Sequence, residues 1–265
     1  MNEHHQHGQD APTDRPVPLL DLHRQNRPLR DAYLAELAQV LDSGIFVLGP
    51  YIERLEERIA AYSHSRYAVA CASGSDALIL ALSACGVGVG DEVIVPSFTF
   101  FATAGAVARL GAVPVFADLD PITFNIAPDH VARLITKKTK AIIPVHLFGQ
   151  SADMDALSVI ADKHGIPLIE DAAQSIGAEW RGRRVGSLGD LGCFSFYPTK
   201  NLGAAGDAGI VTTNDPELAK RVRLLRVHGM EPRYYHSIVG MNSRLDAFQG
   251  AILNVKLDHL DEWTE

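Results

Sequence analysis

Between residues 27 and 43 apolar side chains recur at Leu29, Tyr33, Leu37, Val40 and Leu41, the spacing of one helix face, and Gly44 follows where a helix stop belongs. A second helical stretch is expected over 51–62, with Pro50 at its first turn. Beyond it the pattern changes. Short, nearly continuous apolar runs, YAVACA (67–72), DEVIVP (91–96), VPVFAD (113–118), KAIIPVH (140–146), IPLIED (166–171), CFSFYP (193–198) and GIVTT (209–213), predict buried strands. Segments of helical spacing lie between most of them: 76–86, 101–111, 127–135, 154–165 and 215–226. This alternation predicts an α/β fold, a mainly parallel sheet with helices on both faces. The stretch 244–265 is again helical in pattern and carries apolar positions as far as Leu260 and Trp263. We therefore expect residues 1–15 to be a disordered tail. Residues 16–235 should form a large domain with an N-terminal helical segment, and 236–265 a helical connection to a further C-terminal domain missing from this chain.

At 265 residues the chain has room for one large domain or one and a half, at about 150 residues per domain. The composition is globular, 47% hydrophobic and 21% charged, and the net charge is −8. Without a basic excess, nucleic acid is not an expected partner. No run of apolar residues is long enough for a membrane span, and the polar start is unlike a secretory signal, so a cytoplasmic location is expected. Three scattered cysteines, Cys71, Cys85 and Cys193, suit neither a disulfide framework nor a zinc site. His4, His5 and His7 could bind a metal weakly or simply belong to the tail, and the tail reading is the one expected, with no metal site.

The glycines do not form a dinucleotide fingerprint. Gly86, Gly88 and Gly90 follow a helix and precede a strand, the reverse of the required order. In parallel α/β sheets, ligand groups gather past the C-terminal strand ends. Past YAVACA stands Ser73-Gly74-Ser75-Asp76, suited to hold a phosphate on helix N–H groups or simply to cap the helix. Past IPLIE stands Asp171, with Gln174 beyond it; a carboxylate buried there needs a cation such as a pyridinium nitrogen, or a protein arginine. Past CFSFYP, Lys200 enters a glycine-rich loop, either desolvated into a nucleophile and proton carrier or merely solvated. Ser195 offers a hydroxyl to a phosphate, or is an ordinary strand serine. Phosphate cradle, carboxylate and lysine together are the parts that pyridoxal phosphate requires.

These residues resemble the DegT/DnrJ/EryC1/StrS sugar aminotransferase family, of the fold-type I pyridoxal-phosphate enzymes. The matching segments are LDLHRQ (20–25), LGP (48–50), ASGSDAL (72–78), GDEVIVPSFTFFATA (90–104), PVHLFGQ (144–150), IEDAAQSIGA (169–178), GDLGCFSFYPTKNLGAAGDAG (189–209), RVHGM (226–230) and GMNSRLDAFQGAIL (240–253). The resemblance runs from about Leu19 to the last residue. It implies that Lys200 carries the Schiff-base link and that Asp171 pairs with the pyridine nitrogen. Gln174 would lie beside the ring near its phenolic oxygen, and Phe100 would stack on the ring unless it is core packing. Gly74, Ser75 and Ser195 would hold the phosphate, and Asn242, otherwise a turn residue, would reach the phosphate of the neighbouring subunit in a homodimer.

The implied reaction is transfer of an amino group, from a donor such as glutamate, to a keto group of a nucleotide-linked sugar, in polysaccharide biosynthesis. The pattern leans towards members acting on 3-keto sugars. The alternatives are a dehydratase of similar sequence, which would carry histidine in place of Lys200, and a non-enzymatic regulatory homologue. The chain departs from the commonest family pattern in Ser75 for threonine and in Ala204, Ala205 and Ala208 in the lysine loop. Family members usually continue into a smaller domain that helps enclose the substrate, so this chain is expected to bind cofactor but to turn over sugar poorly.

Overall fold

The computed structural model describes residues 17–265; the expected tail 1–15 and its histidines lie outside them. The strands are β1 (Tyr67–Cys71), β2 (Glu92–Pro96), β3 (Val113–Ala117), β4 (Thr139–Ile142), β5 (Ile169–Asp171), β6 (Glu179–Trp180), β7 (Arg183–Arg184), β8 (Leu191–Ser195) and β9 (Gly209–Thr213). The helices are α1 (Leu22–Asn26), α2 (Arg30–Ser43), α3 (Pro50–Tyr62), α4 (Gly74–Ala84), α5 (Ala102–Arg109), α6 (Pro128–Leu134), α7 (Met154–His164), α8 (Pro216–Leu225), α9 (Ala247–Leu257) and α10 (Leu260–Thr264).

Strands β3-β2-β4 form a parallel set and β5-β8-β9-β1 a second, mixed set. Parallel bridges Ile142–Leu168 and Val145–Asp171 join β4 and its continuation to the β5 segment, making one sheet in the order β3-β2-β4-β5-β8-β9-β1. Only β9 runs against its neighbours β8 and β1. A parallel return would need a long crossover, usually a helix, and the 196–208 loop that joins β8 to β9 contains none. Because β9 lies reversed between them, β1 and β8 point the same way, and their C-terminal ends open beside that of β5.

Both faces of the sheet are covered, as the uninterrupted apolar strands require. Val69, Cys71, Val93, Val95 and Cys193 face α4, α5 and α8. The alternate residues face the other way: Ala68, Ala70, Phe194 and Ile210 meet α3 and α9, and Ile94, Ile142 and Leu168 meet α6 and α7. Helix α4 has buried Leu78, Ile79, Leu80 and Leu82 on all sides, so it is a core helix. Gly44 ends α2 in the left-handed conformation at φ 67°, as its place in the pattern predicts.

The boundary expected after residue 235 is not a break in packing. Ala247, Ala251, Leu253, Asn254 and Lys256 on α9 are buried, and Leu253 and Leu257 share a core with Ile52, Leu55 and Ile59 of α3. Helix α9 thus packs on the same core as α3.

Candidate active site

A cavity of about 510 Å³ opens where the C-terminal ends of β1, β5 and β8 meet. Gly74, Ser75, Phe100, Asp171, Gln174, Ser195 and Lys200 all line it, although 126 positions separate the first from the last. Asn242 does not. It is exposed, and its side-chain oxygen accepts from Arg244 Nε at 2.9 Å.

The wall at β1 is a helix N-terminus. Ser73 caps α4, its hydroxyl accepting from the Asp76 N–H at 3.1 Å, and its carbonyl accepts from Ala77 N–H. The first N–H groups of the helix, on Gly74 and Ser75, have no intrahelical acceptor and face the cavity with the positive end of the helix dipole. The capping reading and the phosphate reading thus hold together: Ser73 satisfies the later donor and leaves the earlier ones free. Gly74 is required by proximity, since a Cβ there would stand 2.5 Å from Ser195 Cβ. Opposite, a Cβ on Gly209 would stand 2.4 Å from the Ser73 carbonyl carbon, so β9 starts in glycine for the same reason. These contacts bring the Ser195 hydroxyl up to the helix end.

The floor is Asp171. It is 5% exposed and no arginine pairs with it among the described residues. Its Oδ2 accepts from the Thr103 hydroxyl at 2.7 Å and its Oδ1 from the Ala173 N–H at 3.2 Å. Burial raises its pKa above the usual carboxylate range, and the Thr103 and Ala173 hydrogen bonds, the His146 ring and the Lys200 amine only partly offset this. Glu170, the other member of the acidic pair, faces away. It is fully buried and accepts from Gly186, Leu188 and Gly189 N–H groups and from His146 Nε2, each at 2.8 Å. Alternation along the strand therefore gives the two carboxylates separate tasks, one structural and one turned to the cavity.

Lys200 sits half-buried in the turn after β8, its N–H donating to the Tyr197 carbonyl at 2.8 Å. Burial lowers its pKa and the Asp171 carboxylate opposes that shift. Phe100 is 70% exposed at the cavity mouth, so it is not core packing. Gln174 accepts from the Phe148 N–H at 3.1 Å through Oε1, which ties the 147–149 turn to the site.

Sequence reasoning missed two supports. Thr103, fully buried, links Asp171 to Thr99, whose hydroxyl lies 2.8 Å from its own. Thr99 lies in the bend before α5 and Thr103 in its first turn, so no helical spacing joins them and the pair forms only as the chain folds. His146 is the second. Its ring is buried between Glu170 and the Ala152 N–H, and its main-chain N–H donates to the Asp171 carbonyl. The histidine at the end of KAIIPVH marked it as a strand-end residue of the kind that gathers at such a site.

The DegT/DnrJ/EryC1/StrS aminotransferase family model matches residues 29–265. A pleiotropic regulatory protein of Geobacillus stearothermophilus is 57% identical over 94% of this chain and 67% of its own length. The UDP-N-acetyl-3-dehydro-alpha-D-glucosamine 3-aminotransferase of Acidithiobacillus ferrooxidans is 49% identical over 94% and 68%. Among solved structures, DesV of S. venezuelae in complex with a ketimine intermediate superposes with a TM-score of 0.91 at 50% identity, over 93% of this chain and 66% of that one. The chain thus spans about two thirds of the length of the proteins it matches. On the family model and on these identities, the chain belongs to the DegT/DnrJ/EryC1/StrS aminotransferase family.

Proposed function

We propose that the protein transfers an amino group, with glutamate as donor, to the keto group of a nucleotide-linked sugar in polysaccharide biosynthesis, using pyridoxal phosphate in the cytoplasm. The observation that carries this reading is the meeting, in one cavity, of a free helix N-terminus, a desolvated carboxylate and a lysine of lowered pKa. Those three features fit the cofactor's phosphate, its ring nitrogen and its aldehyde. When bound, pyridoxal phosphate supplies an electron sink and carries the amino group from donor to acceptor.

The chain's own residues do the rest. Gly74 and Ser75 N–H groups and the Ser75 and Ser195 hydroxyls hold the phosphate dianion. Asp171 keeps a proton on the ring nitrogen, because an ion pair is what relieves its buried charge. Phe100 and Gln174 line the same cavity, where Phe100 would cover one ring face and Gln174 would stand beside the ring. Lys200 Nζ removes the α-proton of the amino donor and later delivers a proton to the sugar carbon that takes the amino group. The relatives' names favour a 3-keto sugar, as in the Acidithiobacillus enzyme. Protein given pyridoxal phosphate is expected to develop a visible absorbance band that glutamate bleaches and a keto-sugar nucleotide restores. A band indifferent to glutamate would refute the aminotransferase reading. The name of the Geobacillus relative favours a regulatory role, and that role predicts such an indifferent band. Lys200 itself stands against the dehydratase reading.

The same reading makes the protein a homodimer whose sites borrow Asn242 from the partner. It is supported by exposed apolar residues around the cavity mouth and on the segment before Asn242: Phe100, Phe101 at 80%, Tyr234, Tyr235 and Val239 at 96%. A site completed by a second copy fills only as copies associate, so cofactor occupancy should rise with protein concentration. Asn242→Ala should weaken cofactor retention by about tenfold or more, the value of one hydrogen bond to a charged group, without dissociating the dimer. Sedimentation alongside cofactor titration checks both; a fully loaded monomer would refute the shared site.

A further inference from the structure

Lys256 is a buried titratable residue for which the chemistry above has no use. It lies on α9 at 1% exposure, and the hydrogen-bond acceptor of its amine is the Gly203 carbonyl, at 2.6 Å. The Trp263 ring lies 5.8 Å from Nζ and supplies a cation–π contact. Burial lowers the lysine's pKa to about 8. An apolar side chain would fill this space without the cost of desolvating an ammonium. What such a side chain lacks is a donor for Gly203.

Gly203 stands three residues beyond Lys200, in the loop that returns the chain to β9. The loop is tight. Ala204 N–H donates to the Phe196 carbonyl at 2.7 Å, and a Cβ on Gly203 would stand 2.3 Å from the Pro198 oxygen. A second residue of α9 holds the same loop. Gln249 Oε1 accepts from the Ala205 N–H at 2.9 Å. Gln249 and Lys256 are seven positions apart, about two helical turns, and so share a face. One grips a carbonyl, the other an N–H two residues further on. The helix is anchored in turn, since Asn254 Nδ2 donates to the Tyr51 carbonyl of α3 at 2.9 Å.

We propose that Lys256 and Gln249 are positioning residues, a two-point clamp by which α9 sets the place of the Lys200 loop and so aligns Lys200 Nζ for attack on the cofactor's aldehyde. This rests on the proposed function, in which Lys200 is the residue that links to pyridoxal phosphate. Released from either point, the loop loses its register on α9 while the phosphate cradle on α4 is untouched. The clamp should thus act on the lysine and not on cofactor affinity.

The test compares wild type with Lys256→Met, which keeps the volume and removes the donor, and with Gln249→Met, which removes the acceptor. Two quantities are measured: the rate at which added pyridoxal phosphate becomes borohydride-trappable on Lys200, read by mass spectrometry, and the affinity for pyridoxamine phosphate, which cannot form the link. Both variants should link at least about tenfold more slowly, as a misplaced reacting group does, with pyridoxamine phosphate affinity within about twofold of wild type, the change expected where no contact to that ligand is altered. Wild-type linking rates in both variants would overturn the clamp, and so would a parallel loss of pyridoxamine phosphate affinity. Failure of both variants to fold would also overturn it, by making these residues core supports. Wild type that forms no link on Lys200 would overturn the functional reading instead.

Discussion

Lys200→Ala protein is expected to fold, to take up pyridoxal phosphate, and to retain none of it covalently after borohydride reduction. Amino transfer should fall by about four orders of magnitude or more, since the variant loses both its nucleophile and the group that moves the donor's α-proton. The fold should tolerate the change because the contribution of Lys200 to local structure is its main-chain N–H on the Tyr197 carbonyl, which alanine keeps. Its side chain is half-buried and absent from the apolar cores. Lys256 cannot take its place, because its amine is buried against the Gly203 carbonyl. Mass spectrometry of reduced wild type and mutant decides the matter: cofactor found attached to the mutant would remove Lys200 from the role.

The main outline of the fold and part of the candidate site were legible because both follow from local pattern, whereas Phe100 and Asn242 came from the family resemblance alone. Continuous apolar strands demand a sheet covered on both faces, and such a sheet gathers polar residues at its C-terminal strand ends. Asp171, Ser195 and Lys200 were found in this way, each just past or at the end of a strand run. The direction of β9 was not inferred, although a clue was present: GIVTT is apolar whichever way it runs, but no helical segment separates it from CFSFYP. The structural task of α9 was hidden for another reason. Its apolar spacing shows that it packs, not on what, and its partners on α3 lie about two hundred residues earlier, as in the Asn254–Tyr51 contact. Thr103 and His146 escaped because their importance lies in what they touch. A threonine in an apolar helix gains meaning only when folding sets it 2.7 Å from a buried carboxylate.

Asp171→Asn should cut amino transfer by about a thousandfold or more, on the order of 4 kcal/mol in the barrier, while making the cofactor-free protein more stable at neutral pH. Both effects come from the same desolvated charge. The asparagine fits: its oxygen can keep the Ala173 N–H, and its amide can donate to Thr103, whose hydroxyl then donates to Thr99. Shape is kept and the charge is lost, so the ring nitrogen loses the group that holds its proton and the cofactor becomes a poor electron sink. The stability effect has a definite sign. Burial raises the Asp171 pKa in the folded chain above the ordinary value of 3.8. Between those two values the native state binds more protons than the unfolded state, so wild-type stability falls as pH rises through the window. Above it, wild type carries the full cost of an ionised buried carboxylate, whereas the asparagine carries none. Thermal melts of the two cofactor-free proteins should therefore coincide near pH 3.8 and separate as the pH rises, with the mutant melting higher. Adding pyridoxal phosphate should reverse the order, because its ring cation compensates the wild-type carboxylate and has nothing to pair with in the mutant. A mutant with near wild-type turnover, or one that melts below wild type at neutral pH without cofactor, would show that Asp171 does not hold the charge on which the site depends.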